Sequence, residues 1–280
     1  MSDWTSGDVT TNGIRIHYTR TGGGKPPLLL AHGATDSGLC WTRLARVLEA
    51  DYDVIMPDAR GHGQSEAPES GYTSGDHAAD LAGLIRELGL DRPAIGGHSM
   101  GAGSTLALTA MYPDLVSCAV LEDPGIRMQD PPTPTGHDPR AEMRRNIEIA
   151  QTQGREAAAA RGREIHPGWS DEEFGPWVDA KTRVSRQFMD QMGRTRPMLQ
   201  WRELLPKVRC PMLLVTSDPE RGGIVTPEAA QEAKQLLPSL QVVRVSGAGH
   251  NIRREQFEAF VGAVRAFLSA YYPARQAARA

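Results

Sequence analysis

The sequence predicts an α/β fold in which a mainly parallel sheet is covered by helices on both faces. The first observation is a series of short, continuous apolar runs, of the kind that buried parallel strands use. The second is that stretches with helical spacing of apolar residues alternate with these runs, which indicates βαβ units. The third is that polar residues follow the ends of several runs, where open α/β sheets bind their ligands.

The strands follow from turn signals and apolar runs. An N-terminal hairpin is predicted over residues 9–20, because Asn12-Gly13 favours a two-residue turn and the apolar residues after it alternate with polar ones. Six buried strands are predicted further along the chain, at residues 27–31, 52–57, 93–96, 117–121, 211–216 and 240–245. Helices are predicted in the intervals between them, at residues 41–48, 81–88, 102–111, 227–237 and 257–268.

This alternation is interrupted between residues 126 and 206, where no strand-like run occurs. Helices are predicted there at residues 140–153 and 171–186. The segment holds three of the five tryptophans and two of the five phenylalanines of the chain. We therefore predict a core formed by residues 1–125 and 207–280, with residues 126–206 inserted as a helical cap over the ligand edge.

Composition excludes several classes of function. The chain has 280 residues, a net charge of −3 and an isoelectric point of about 6.3, so it lacks the basic field that attracts nucleic acid or anionic membranes. No apolar run is long enough for a membrane span, and the first ten residues lack the apolar core of a signal peptide. We expect a cytoplasmic protein whose three scattered cysteines are small core residues and bind no metal. The sequence leaves the oligomeric state open.

The motif Gly97-His98-Ser99-Met100-Gly101 lies between a predicted strand and a predicted helix. A strand, a sharp turn and a helix with Ser at the turn form a nucleophile elbow, which exposes the hydroxyl above the sheet. Small flanking residues are required because the turn is tight, and both flanking positions are Gly. A Gly-rich turn with an incidental Ser is the alternative interpretation of so common a pattern.

A Ser nucleophile needs a base within hydrogen-bond reach, and His titrates in the right range. Of the eight histidines, His250 follows the last predicted strand in a Gly-rich loop that can reach back over the sheet. The other histidines lie in strands, helices or loops that suit this role less well. We predict that His250 is the base.

These residues give the chain a resemblance to the α/β-hydrolase superfamily over essentially its whole length. Four motifs carry it: His32-Gly33, the loop from Asp58 to Ser65, Gly97-x-Ser99-x-Gly101 and Gly249-His250. The resemblance implies an oxyanion hole formed by the backbone amides of Met100 and Ala34. It also makes His32 a structural loop residue at the substrate pocket, beside Gly33, and makes the Asp58 loop architectural.

The catalytic acid departs from the common family pattern. In most members it lies just before an Ile-Val-x-Pro-like stretch, but the matching slot here holds Gly222 or Gly223. Lipase-like and zearalenone-lactonase-like members instead take the acid from the strand after the nucleophile helix, which corresponds to Asp123. Asp123 is the predicted acid and Asp218 the alternative, while a plain Asp-Pro turn is the structural interpretation of Asp123.

The resulting prediction is a serine hydrolase that cleaves a small carboxylic ester or lactone without a cofactor. The cap aromatics suggest a pocket that includes Trp177, Phe188 and Met192. Hydrolysis of a C–C bond in a β-diketone-type substrate, or cofactor-free haloperoxidase activity, would use the same residues. A non-enzymatic ligand receptor on the same fold is the remaining alternative, whereas epoxide hydrolases and dehalogenases of this fold use Asp at the position of Ser99.

Overall fold

The computed structural model describes residues 4–128, 139–192 and 199–273, without the side chains of Pro139 and Met192. Eight strands in these residues form one sheet: β1 (Thr5–Thr11), β2 (Ile14–Arg20), β3 (Pro27–Ala31), β4 (Asp53–Pro57), β5 (Ala94–His98), β6 (Cys118–Glu122), β7 (Met212–Thr216) and β8 (Gln241–Arg244). Their order across the sheet is β1-β2-β4-β3-β5-β6-β7-β8. The first two strands pair antiparallel and β2 is antiparallel to β4, whereas the remaining neighbours are parallel. The predicted fold class is confirmed.

The central strands are apolar because both faces of the sheet are covered. In β3, Leu28 and Leu30 pack into one core cluster while Leu29 and Ala31 pack into the other, on the opposite face. Successive side chains of a strand point to opposite faces, so one continuous apolar run serves two cores. Because β3 pairs parallel with β5 and β5 pairs parallel with β6, the carboxyl ends of these three strands lie at the same edge of the sheet.

Seven helices accompany the described strands of the sheet: α1 (Thr42–Leu48), α2 (Ser74–Glu87), α3 (Met100–Met111), α8 (Trp201–Leu204), α9 (Pro227–Leu236), α10 (Ile252–Glu255) and α11 (Phe257–Tyr271). Helices α1 and α11 pack on one face, and α2, α3 and α9 pack on the other. Helix α2 begins with a capping box between Thr73 and Asp76. In the described part of the chain, every helix is too short or too polar to span a membrane.

Four further helices lie between β6 and β7: α4 (Pro139–Thr152), α5 (Arg155–Ile165), α6 (Asp171–Thr182) and α7 (Arg186–Met192). Helices α4, α5 and α6 share an apolar cluster of their own, which includes Trp169, Phe174 and Trp177, whereas Phe188 of α7 packs in a different cluster. The prediction missed α5 and α7, and it extended α6 to residue 186. Its pattern had few apolar positions to mark α5, whose sequence is REAAAARGREI.

Trp201 falls within the predicted cap segment, but it packs in the core of the sheet. It belongs with Leu205 to the core cluster beneath α3, and its Nε1 donates to the backbone oxygen of Arg127 at 3.1 Å. Composition grouped it with the other tryptophans, but packing places it under the sheet. The division into a core and a cap at residues 126–206 stays a prediction.

Candidate active site

Ser99 lies at the turn between β5 and α3, and its backbone is strained. It has φ 53° and ψ −110°, a region that non-glycine residues rarely adopt. Such strain costs on the order of 1–3 kcal/mol and clusters at functional sites. The Ser99 amide donates to the backbone oxygen of Glu122 at 3.0 Å, which ties the turn to β6.

The glycines of the motif are required by the closeness of neighbouring backbone. A Cβ on Gly97 would overlap the carbonyl group of Gly101. A Cβ on Gly101 would overlap the carbonyl oxygen of Ala31 at the end of β3. The turn therefore fits against β3 only with glycine at both positions.

His250 connects Ser99 to Asp123 through hydrogen bonds at both ring nitrogens. Its Nε2 lies 3.0 Å from Ser99 Oγ, and its Nδ1 lies 2.6 Å from Asp123 Oδ2. The His250 side chain is 26% exposed, whereas the Asp123 side chain is fully buried. With Nδ1–H donating to the carboxylate, Nε2 is left as the acceptor for the Ser99 hydroxyl proton.

Backbone amides of the loop before α9 hold the Asp123 carboxylate in place. The Ile224 amide donates to both carboxylate oxygens at 3.0 and 2.9 Å, and the Val225 amide donates to Oδ1 at 3.1 Å. Asp123 also has a left-handed backbone, with φ 42°. The loop before α9 thus contributes amides to a carboxylate that comes from the end of β6.

Asp218, the alternative acid, lies in a different set of contacts. Its Oδ1 accepts from Arg244 at 2.8 Å, and its Oδ2 accepts from the Gly247 amide at 2.7 Å. The hydrogen bond from Gly247 and the Arg244 guanidinium lower the pKa of this carboxyl. The structure therefore places Asp123, and not Asp218, against His250.

The loop after β3 is held by two buried histidines. His32 donates from Nδ1 to the Gly33 oxygen at 2.8 Å and accepts at Nε2 from the Ala59 amide at 2.9 Å. His62 Nε2 accepts from the Thr35 amide at 3.3 Å, and burial holds its pKa well below the usual value. Both rings are therefore neutral supports that fix the loop around Ala34.

The backbone amides of Ala34 and Met100 make no hydrogen bond within the described residues. Met100 is the first residue of α3, so its N–H has no helical acceptor. Ala34 and Ser99 line the same cavity. Unpaired backbone amides near a nucleophile can stabilise negative charge that develops on a carbonyl oxygen, which is the role that the resemblance implies for these two.

A buried charge network that sequence reasoning missed joins this loop to the rest of the site. Asp36 accepts from Lys181 of α6 at 3.1 Å and from Arg254 of α10 at 3.1 Å, and Arg254 also donates to Glu173. Arg253 donates to Glu122 at 3.1 Å. Burial alone would raise the pKa of Asp36, but the surrounding cations hold it well below its usual value.

A cavity of about 660 Å³ opens above Ser99 and His250. Trp177 lines it, as predicted, but His32, Gly33 and Phe188 are not among its described lining residues. Phe188 is fully buried against His62 and Tyr72, so its assignment to the pocket was wrong. His32 and Gly33 lie behind the loop that they support, and the side chain of Met192 lies outside the described residues.

Helices α4 to α6 and the residues that connect them also contribute polar lining residues that the prediction missed, among them Asn146, His166 and Lys181. Lys181 could have been found from the sequence. Phe174, Trp177, Val178 and Lys181 follow the i, i+3, i+4, i+7 spacing of a buried helix face, so a lysine at the last position needs a buried partner.

A model of the alpha/beta hydrolase family matches residues 28–263. The chain belongs to this family. The match extends from β3 into α11, and so includes Ser99, Asp123 and His250. Hydrolytic chemistry on this fold is thereby supported, as the resemblance implied.

Two relatives align with this α/β hydrolase over nearly its whole length. The N-formylmaleamate deformylase of Pseudomonas putida KT2440 is 30% identical over 94% of this chain and 96% of its own. The 2-(acetamidomethylene)succinate hydrolase of Mesorhizobium japonicum is 29% identical over 92% of both chains. An epoxide hydrolase of Caballeronia sordidicola is 38% identical, but over only 40% of this chain.

Solved structures show the same relationship in three dimensions. The N-formylmaleamic acid deformylase of Pseudomonas putida S16 has a TM-score of 0.80 at 25% identity and covers 93% of this chain and 100% of its own. An E-2-(acetamidomethylene)succinate hydrolase has a TM-score of 0.77 at 28% identity and covers 95% of this chain and 99% of its own. An enol-lactonase of Burkholderia xenovorans LB400, at 23% identity over 94% of this chain and 100% of its own, has a TM-score of 0.72 and shows the fold alone.

Proposed function

We propose that this protein is a serine hydrolase that cleaves the acyl C–O bond of a small carboxylic ester or lactone through an acyl-enzyme. The observation that carries the proposal is the hydrogen-bonded chain from Ser99 Oγ through His250 to Asp123 at the base of the cavity. A nucleophile, a base and an acid that orients the base are the parts that this chemistry needs.

The reaction uses protein groups and water alone. His250 Nε2 takes the hydroxyl proton of Ser99 while Oγ attacks the carbonyl carbon, and the negative charge moves to the carbonyl oxygen. The amides of Ala34 and Met100 stabilise that oxyanion, and Asp123 stabilises the imidazolium. His250 then protonates the leaving oxygen as the acyl C–O bond breaks. A water deprotonated by His250 finally attacks the acyl-enzyme and releases the acid and free Ser99.

Active-site labelling tests this proposal directly. A fluorophosphonate probe should label the wild-type protein at Ser99, identified by peptide mass spectrometry, and should not label Ser99→Ala. Wild-type protein should hydrolyse p-nitrophenyl esters or lactones in a panel, and the substitution should abolish turnover. Labelling at another residue, or turnover that survives in Ser99→Ala, would contradict the proposal. Tight ligand binding without any turnover would favour a receptor.

Amide hydrolysis is a second candidate, and the comparisons favour it specifically. Two relatives that cover nearly the whole chain have names that describe action on an N-formyl and an acetamido compound. The same residues serve an amide if His250 protonates a leaving nitrogen. p-Nitrophenyl acetate and N-(4-nitrophenyl)acetamide share acyl and aryl groups. A kcat/KM for the amide within about tenfold of that for the ester would favour this candidate.

A further inference from the structure

Two polar side chains that line the cavity make no side-chain hydrogen bond within the described residues. Asn146 of α4 is 7% exposed, and its Oδ1 is buried with no hydrogen-bond partner. His166, which follows α5, has no hydrogen bond to either ring nitrogen among the described residues. Buried polar atoms are nearly always paired, so the unpaired Oδ1 of Asn146 beside a cavity indicates a group supplied by the ligand. The half-buried His166 ring offers its nitrogens to the same cavity.

The His166 ring is fixed in orientation. It stacks on Trp169 with ring centroids 3.8 Å apart and planes 2° apart, and Trp177 meets it edge-on at 6.1 Å. Burial lowers the pKa of His166 to about 4, so the ring is neutral at physiological pH. A neutral imidazole presents one donor and one acceptor. The stacked His166 ring therefore offers the cavity one hydrogen-bond donor and one acceptor in a fixed orientation.

The charged residues around the cavity are mostly engaged with one another. Its described lining includes three acidic and three basic side chains, namely Asp36, Glu142, Glu255, Lys181, Arg221 and Arg254. Asp36 holds Lys181 and Arg254, and Arg161 lies 4.0 Å from Glu142. The Glu255 carboxylate accepts from the amides of Gly249 and Asn251. Arg221 is exposed and therefore strongly solvated.

We propose that Asn146 and His166 form a neutral polar subsite that binds an uncharged carboxamide of the substrate, away from the bond that Ser99 attacks. A carboxamide has one acceptor oxygen and two donor hydrogens, which match a neutral imidazole and a side-chain amide. A carboxylate has acceptors only and finds no unpaired buried cation among the described lining residues. This inference rests on the proposed serine hydrolase function and names its substrate class.

Three p-nitrophenyl esters of nearly equal size test the subsite: those of 4-carbamoylbutanoate, glutarate and 5-methylhexanoate. They end in a carboxamide, a carboxylate and an isopropyl group. Wild-type kcat/KM should be at least about tenfold higher for the carbamoyl ester than for either of the others, as expected for a hydrogen bond worth about 1.5 kcal/mol. Equal values, or a preference for glutarate, would overturn the inference.

Isosteric substitutions assign the preference to the two side chains. Asn146→Leu keeps the volume and His166→Phe keeps the stack on Trp169, but each removes the polar atoms. Either change should reduce the carbamoyl preference to within about threefold, mainly through KM. Glu148→Ala, at an exposed position of the same helix, is the matched control and should keep the preference. A preference that survives in both isosteric variants would contradict the assignment.

Equilibrium binding separates this inference from the proposed function. Binding of the three esters to Ser99→Ala protein, measured by calorimetry, should rank the carbamoyl ester tightest whether or not wild-type protein turns it over. Failure of turnover with this ranking intact would contradict the hydrolase and leave the subsite supported. Hydrolysis of all three esters by the wild-type protein, together with equal binding of the three to Ser99→Ala protein, would support the hydrolase and contradict the subsite.

Discussion

At the scale of single residues, the site depends on three non-glycine residues with left-handed backbone: Thr35, Ser99 and Asp123. Each lies immediately after or close to the carboxyl end of a parallel strand, where the chain turns sharply toward the ligand edge. Strained positions persist only where their surroundings hold them. Each of the three is held by a hydrogen bond. The Thr35 amide donates to His62, and the Ser99 amide donates to a backbone oxygen of β6. The Asp123 carboxylate accepts from the loop before α9.

Asp123→Asn should reduce kcat severely, because Asn cannot hold His250 in the productive tautomer. A comparable change in a Ser-His-Asp enzyme costs about 10⁴-fold in kcat. Asp218→Asn should cost less than about tenfold, since Asp218 bonds to Arg244 and the Gly247 amide instead. Steady-state kinetics of both variants on one ester decide the matter. A larger loss in Asp218→Asn than in Asp123→Asn would show that the acid is misassigned.

Two helical glycines should respond in opposite directions to the same substitution. Gly101→Ala should lower the free energy of unfolding by about 1–3 kcal/mol or more, because its Cβ would overlap the Ala31 carbonyl. Gly262→Ala in α11 should raise it by about 0.5–1 kcal/mol, because that site is open and alanine favours helix. Urea denaturation measures both. A neutral Gly101→Ala would contradict the close approach of α3 to β3.

At the scale of elements, the network around Asp36 connects three segments that form the site. Asp36 follows the β3 loop, Lys181 comes from α6, and Arg254 from α10 just after His250. The network therefore couples the position of α6 to that of α10, which follows His250. Buried ion pairs add little net stability compared with apolar residues, but removing one member leaves the others uncompensated.

Asp36→Ala should lower the free energy of unfolding by about 3–5 kcal/mol, because Lys181 and Arg254 would remain buried without their shared partner. The exposed pair of Asp114 and Arg209 is the control, and Asp114→Ala should change stability little. Chemical denaturation followed by circular dichroism measures both variants. Equal effects would show that the buried network contributes no more than a surface ion pair.

At the scale of the whole molecule, stability should fall as the pH is lowered below about 6.5. Burial lowers the pKa of His32, His62 and His98 in the folded protein. The unfolded chain binds protons at these residues near pH 6.5, whereas the folded protein resists them, so acid favours unfolding. Asp36 has a depressed folded pKa as well, and its contribution is lost only below the unfolded pKa of about 3.9.

Urea denaturation at pH 7.5 and pH 5.5 should therefore show a lower unfolding free energy at pH 5.5. His98→Gln should reduce this difference, since it removes one buried ring while glutamine can still donate to the His250 oxygen, as His98 Nε2 does at 3.0 Å. Stability that is constant or higher at pH 5.5 would mean that these histidines are not held neutral by the fold.

The fold and the candidate nucleophile and base could be predicted from the sequence because they depend on local patterns. Apolar runs mark strands that are covered on both faces, and Gly-x-Ser-x-Gly marks a turn whose neighbours leave no room for Cβ atoms. Parallel strands bring their carboxyl ends together, so the sequence alone places the polar residues after those ends at one edge of the sheet.

Only the tertiary structure decided which residues face the cavity and which stand behind it. Phe188 and His32 have the residue types of a pocket, yet packing keeps them out of the cavity lining. Asn146 and His166 looked like ordinary helix and loop residues, yet the packing of α4 and α5 brings them to the cavity wall. The choice of Asp123 over Asp218 likewise rests on contacts between segments about a hundred residues apart along the chain. Local sequence determines how a segment folds, whereas partners across the fold determine what a buried polar group binds.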